Sequence, residues 1–234
     1  MHNGLMEVSR VKVLLVNGGP HQKGCTYTAL SEVAASLNEE SIETDFYWIG
    51  NKPIGGCIGC FQCANKQKCV FDDTVNEFTA LAADYDGFIF GSPVYYSGMN
   101  GSLMSFMDRV FFSASAQEPH PFRFKPAAAV VSARRAGTTS ALDQINKYFF
   151  HQQMPIATSR YWNMVHGNTP EEVRQDEEGM QIILDSPRNT TVDLVRSERL
   201  TDILPEKRSI TPWDASAGGG TAWGIRSPLR KENA

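Results

Sequence analysis

The sequence predicts an α/β fold, a doubly wound parallel sheet of five strands with helices on both faces. Three observations predict it. Short apolar runs recur along the first two thirds of the chain; turn signals follow them; and stretches with apolar residues three and four apart lie between them. Strands that alternate with helices pair in parallel, and right-handed crossovers then cover both faces of the sheet.

The first run, 11–16 (VKVLLV), is β-branched and leads into Asn17-Gly18-Gly19-Pro20, as a buried strand entering a tight loop does. Helix follows over 26–37, where Leu30, Val33, Ala34 and Leu37 share one face and Glu32 and Ser36 fall elsewhere. Residues 44–49 form the second strand, 85–91 (YDGFIFG) the third and 127–132 (AAAVVS) the fourth. Helical spacing returns over 99–112 (Leu103, Phe106, Met107, Val110) and over 140–150 (Leu142, Ile145, Phe149), and a last strand is expected to start near Pro155. After Leu184 the pattern lapses into prolines, charges and Gly218-Gly219-Gly220. The expected organisation is thus one domain over 1–184, with a cysteine-rich loop at 55–73, and an arm or disordered tail over 185–234.

With 234 residues and 41% hydrophobic content, the chain has enough apolar material for one substantial core. A net charge of −4 without a basic, aromatic-studded stripe argues against nucleic acid as a partner. No run is apolar enough to span a bilayer and no stretch of signal-peptide type precedes the first strand, so no membrane is expected and the cytoplasm is the expected location. Three of the histidines, His120, His151 and His166, show no metal-ligand spacing, and Ser92 precedes proline and is no nucleophile elbow.

Two loops that follow strands suit a bound ligand. The loop Gly19-Pro20-His21-Gln22-Lys23-Gly24-Cys25-Thr26 delivers a helix N-terminus, where free N–H groups and the positive dipole end favour an anion. It is neither the G-x-G-x-x-G fingerprint nor a Walker loop, and a monophosphate suits it better; the alternative is an ordinary connection capped by Thr26 or Thr28. Cys25, near the helix start, reads either as a reactive low-pKa thiol or as a small residue tolerated in the turn. After the third strand, Pro93-Val94-Tyr95-Tyr96-Ser97-Gly98 puts two aromatics at a strand's carboxyl end, where a flat ring could stack.

These two loops, in register, make the chain resemble the flavodoxin-like NAD(P)H-dependent FMN reductase family, whose first loop reads like G-S-P-R-x-x-G-N-T and whose second reads like G-S-P-V-Y. The likeness runs from about Lys12 to Met180. It implies that Gly19, His21, Gly24, Cys25 and Thr26 hold the FMN phosphate and that Pro93 through Gly98 lie against the flavin ring. It further implies that the loop bearing Ser132, Arg134 and Gly137 approaches the ring's polar edge. Gly19, His21 and Cys25 replace the family's usual serine, arginine and asparagine, which leaves backbone donors to carry most of the phosphate binding. NAD(P)H is the implied electron donor, and a homodimer or homotetramer the implied assembly.

The sharpest local feature is Cys57-x2-Cys60-x2-Cys63-x5-Cys69. Structural zinc usually takes two separated Cys-x-x-Cys knuckles, whereas four cysteines this compact suit a [4Fe-4S] cubane. A reduced structural or redox-active cysteine loop is the alternative, and zinc a third. The spacing resembles that of the iron-sulfur flavoprotein branch of the same family. The expected function is FMN-dependent electron transfer from NAD(P)H to a quinone, a flavin, a cluster or another small acceptor, with no catalytic side chain, since the flavin carries the chemistry. The alternatives are an electron carrier serving a ferredoxin-like protein and a redox sensor acting through the cysteine loop.

Overall fold

The computed structural model describes residues 11–185. β1 (Lys12–Asn17) is central, paired in parallel with β2 (Glu43–Trp48) on one side and β3 (Gly87–Tyr95) on the other. β3 pairs in parallel with β5 (Ala127–Ala133), and β5 with β6 (Met164–His166), giving the order β2-β1-β3-β5-β6. This is the doubly wound, five-stranded parallel sheet of the flavodoxin-like class. β4 (Gly98–Met99) adds only an antiparallel hairpin to the end of β3. The strand order reverses between β1 and β3, and the crevice beyond their carboxyl ends is where such sheets bind ligands.

One face is covered by α1 (Cys25–Glu39) and α6 (Pro170–Gln175), with a further helical stretch over 177–185; α3 (Thr74–Leu81), α4 (Gly101–Ala114) and α5 (Thr138–His151) cover the other. Alternation along the strands feeds both layers. Val13 and Leu15 pack with Leu30, Val33 and Leu37 of α1, while Leu14 and Val16 pack with Phe78, Leu103 and Phe106 of α3 and α4. Phe78 is the hub of the second layer, with ring centroids of Phe106, Phe122, Phe90 and Phe88 between 5.0 and 6.4 Å away. Each such fully buried side chain contributes roughly 1.5–3 kcal/mol.

Most expected elements are present with ends shifted by one or two residues, and three differences have physical causes. β3 continues past Gly91 to Tyr95, through a Ser-Pro step that reads as the start of a loop. Its pairing with β1 ends at Asn17↔Gly91, so beyond that point one edge is free and the missing proline N–H costs no bond there. The last strand is Met164–His166; near Pro155 there is only a single bridge, Ala127↔Ile156. α3, absent from the sequence-based expectation, is set by Asp73, whose carboxylate accepts from Val75 N at 3.1 Å as an N-cap. The expected arm or tail over 185–234 lies, beyond Asp185, outside the described residues.

Candidate functional site

α1 begins at Gly24 with no side-chain cap and no acidic residue in its first turn. Its first intrahelical bond is Thr28 N to Gly24 O at 2.9 Å, so the N–H groups of Cys25, Thr26 and Tyr27 precede the helical ladder. Neither threonine caps the helix: Thr26 Oγ1 meets Ser132 Oγ at 2.8 Å, tying the loop to β5, and Thr28 Oγ1 donates back to Gly24 O at 3.2 Å. The loop ahead of the helix is fixed from several sides. Asn17 Oδ1 accepts from Gly19 N (2.9 Å), and Asn17 Nδ2 donates to Gln22 O (3.2 Å). Trp48 Nε1 donates to Gly19 O (2.8 Å) and Asn100 Nδ2 to Gly18 O (2.6 Å). Gly18 sits so close to β3 that a Cβ would lie 2.8 Å from Gly91 O and 2.7 Å from Leu103 Cδ2.

A cleft of about 230 Å³ opens at the carboxyl ends of the strands. Of the residues expected to bind a cofactor, Gly19, His21, Gly24, Cys25, Thr26, Pro93, Val94, Tyr95, Ser132 and Arg134 border it together. Tyr96, Ser97, Gly98 and Gly137 stand off its wall. Tyr96 and Ser97 form the tip of the β3–β4 hairpin with φ of 49° and 61°, and the Tyr96 ring is fully exposed. Gly98 abuts Gln144, and Gly137, at φ 96°, packs its Cα against Ser97 so that a Cβ would lie 2.7 Å from Ser97 Cα. That left-handed contact buttresses the hairpin from the start of α5. Gly167 and Asn168 also border the cleft; the sequence offers 161–167 as a pocket-lining segment but favours a core or surface loop there, and it gives no signal for Asn168. They follow a three-residue strand that leaves no periodic trace and open the Gly-Asn-Thr-Pro turn before α6.

The surroundings of Cys25 favour the neutral thiol. Burial pushes its pKa up, and Glu172 and Glu171 push in the same direction against a backbone hydrogen bond. It packs, partly buried, against the apolar layer under α1.

The four clustered cysteines border one cavity, walled by Ile58, Phe61, Val70, Phe71 and Phe112 and closed by Arg109. Cys57 and Cys60 are exposed on irregular chain, Cys63 is buried at the start of α2 (Cys63–Lys66) and Cys69 is half-buried. Asn76 clamps the returning limb: its Oδ1 accepts from Cys69 N (2.9 Å) and its Nδ2 donates to Cys69 O (3.0 Å) and Phe71 O (2.9 Å). Burial raises the Cys63 pKa, and Cys57 and Cys60 add to it. Among the described residues no three His, Cys, Asp or Glu side chains close on one point as a single ion requires. A four-iron cluster engages each thiolate through a different iron and needs four thiols around a shared space with charge compensation nearby, so this donor set fits one. The free space is small, about 20 Å³, and Cys57 and Cys60 stand on its exposed side.

Asp108 and Arg109, adjacent on α4, face different neighbours: Asp108 accepts from the Tyr148 hydroxyl, and Arg109 pairs with Asp73 through two 2.8 Å hydrogen bonds. His166 lies beside Asp176, its Nδ1 3.5 Å from the carboxylate. A larger groove of about 450 Å³ runs between α4 and α5 and shares Phe112 with the cysteine cavity.

Residues 11–169 match the NADPH-dependent FMN reductase family. An iron-sulfur flavoprotein of Methanocaldococcus jannaschii is 31% identical over 178 residues, covering 73% of this chain and 91% of the relative. A second iron-sulfur flavoprotein of the same organism is 28% identical, covering 86% of this chain and all of the relative. Among solved structures, an NAD(P)H:quinone oxidoreductase from Methanothermobacter marburgensis superposes with a TM-score of 0.60 at 14% identity, over 78% of this chain and 98% of that one. At that identity the last likeness speaks for the fold alone.

Proposed function

The chain belongs to the NADPH-dependent FMN reductase family and resembles its iron-sulfur flavoproteins, and we propose that it carries electrons from NADH or NADPH through FMN to a [4Fe-4S] cluster and on to a small acceptor such as a quinone or a flavin. Family and relatives support an FMN-dependent oxidoreductase. The observation that carries it is the pairing of two built sites, a strand-end cleft bordered by both loop motifs and a cavity bordered by four thiols.

In this reading the N–H groups at the start of α1 bind the FMN phosphate, helped by the positive end of the helix and by the absence of a competing acidic residue in the first turn. Pro93, Val94 and Tyr95 flank the ring, and Ser132 and Arg134 face its polar edge. The hydrogen bonds from Trp48 and Asn100 hold the phosphate loop in shape before the cofactor arrives, which reduces the ordering cost of binding. FMN held there would supply a two-electron acceptor for the hydride of the nicotinamide and a one-electron donor to the next centre. No side chain need supply a proton to the carbon centre that gives up the hydride, so the protein's part is alignment and exclusion of water. Cys57, Cys60, Cys63 and Cys69 would hold the irons as thiolates.

We place the protein in the cytoplasm as a homodimer or homotetramer, with the exposed Tyr96, Tyr161, Trp162 and Phe150 as surface for subunit contact. Among the described residues no helix is long and apolar enough to cross a membrane. The test is the absorption spectrum of anaerobically purified protein, with iron, acid-labile sulfide and NAD(P)H oxidation measured on the same sample. Flavin bands, about four irons per chain and turnover with either nicotinamide are expected. Flavin without iron removes the cluster; holo-protein inert to both nicotinamides but reduced by a ferredoxin-like protein makes it a carrier instead.

A further inference from the structure

Arg109 is the one charged side chain in the buried core of the described residues, 2% exposed on α4. Burying a guanidinium against a carboxylate that is itself 39% exposed is a poor way to gain stability, because desolvation offsets most of the attraction and apolar residues of like volume do as well or better. The position therefore calls for another explanation, and the contacts offer one. Nη1 and Nη2 grip the Asp73 carboxylate at 2.8 Å each, Nη1 also reaches Gly55 O at 3.3 Å, and the guanidinium carbon lies 4.8 Å from the centre of the Phe71 ring. That fork leaves Nε aimed at Cys69 Sγ, 3.3 Å away. Lysine, a point charge without the planar fork, could not make the same set of contacts.

We infer that Arg109 is a tuning residue for the cluster, raising its reduction potential through the Nε–H···Sγ hydrogen bond to Cys69, with Asp73 fixing the guanidinium and moderating its charge. This rests on the reading of the four-cysteine cavity as a cluster site. Reduction adds one electron and hence one negative charge to cluster and thiolates; a cationic donor on a ligand sulfur favours that more negative state. No bond forms or breaks at Arg109 and its protonation does not change. Asp73 acts in the opposite sense, since its carboxylate opposes the added negative charge.

The test is a potentiometric titration with dithionite as reductant, followed by electron paramagnetic resonance. The samples are anaerobically purified wild type, Arg109→Lys and Asp73→Asn, with iron and sulfide measured on each. Arg109→Lys keeps the charge but loses the Nε donor, and its midpoint is expected to fall. Asp73→Asn keeps an acceptor for the Val75 N-cap bond and removes the charge, and its midpoint is expected to rise. Each shift should change the reduced-to-oxidised ratio at fixed potential by about tenfold, or about 59 mV for one electron. Loaded variants with unmoved midpoints, or with both moved the same way, overturn the inference while the cluster reading stands. Wild type without iron and sulfide removes the cluster reading itself. If Arg109→Lys fails to fold or to load, Arg109→Gln takes its place, and its midpoint is likewise expected to fall; an unmoved midpoint overturns the inference.

Discussion

The strand-end cleft and the cysteine cavity lie in one domain but are held by different means. The cleft is built by the sheet: its walls are the ends of β1, β3 and β5, whose registers are locked by ladders on buried strands, and side chains such as Asn17, Trp48 and Asn100 only trim the loops that close it. The cavity has almost no regular structure of its own beyond the single turn of α2. It is fixed from outside, by Arg109 on α4 and by Asp73 and Asn76 at the start of α3. A site made of backbone and topology tolerates changes of side chain, whereas one hung on two or three side-chain anchors does not. This agrees with the loop before α1, where Gly19, His21 and Cys25 replace the family's usual side chains while the N–H groups at the start of α1 stay free of a side-chain cap.

The largest effect that would break the comparison is expected in the cleft, from a backbone clash rather than from a lost side chain. Gly18→Ala places a methyl against the Gly91 carbonyl and Leu103, and overpacking of this kind costs about 1–3 kcal/mol. FMN binding, followed by flavin fluorescence quenching, should weaken roughly tenfold while the accessibility of the four thiols stays as in wild type. A parallel change in thiol accessibility would show that the two regions are not held independently.

Next comes Asn76→Ala, which strips three hydrogen bonds from the 69–71 limb at a cost of about 1–3 kcal/mol. Faster hydrogen exchange around Cys69 and Phe71 and lower iron retention are expected, with the FMN dissociation constant unchanged. Equal weakening of FMN binding would undo the contrast drawn here.

The smallest effect is global and serves as a reference for both. His120 accepts from Phe122 N (3.2 Å) and Arg123 N (3.0 Å) through Nδ1, and burial, aided by Arg123, lowers its pKa from 6.5 to about 4. Between those values the unfolded chain binds the proton and the folded one does not. The contribution is therefore complete above about pH 6.5 and is lost as pH falls toward about 4, worth ~1–2 kcal/mol after allowance for partial exposure. His120→Asn keeps an acceptor without the titration, so urea midpoints over that range should fall less steeply with acid than those of wild type. Identical slopes would mean that His120 is already charged in the fold.

Local pattern was enough for much of this. The apolar runs that became β1, β3 and β5 and the three-and-four spacing of α1, α4 and α5 are properties of neighbouring residues, as are the glycine loop and the cysteine spacing, and each was legible with ends off by one or two positions. β3 was the exception, extending four residues beyond its expected end because a partner strand had already stopped.

What the sequence by itself determined is the alternation of strands and helices, and hence a parallel doubly wound sheet, together with two chemically pointed segments, one suited to an anion and one to iron or to thiol chemistry. Tertiary structure alone decided which residues meet. Met164–His166 became the last strand because β5 offered it an edge, not because three residues carry a period; Gly167 and Asn168 reached the cleft with it. Arg109 found Cys69 and Asp73, 40 and 36 residues away, because the return of the chain from β2 into α3 lays that loop across α4. Periodicity records which face of an element is buried, but the partner across the fold is set by chain reversal and packing, and these leave no mark on nearby residues.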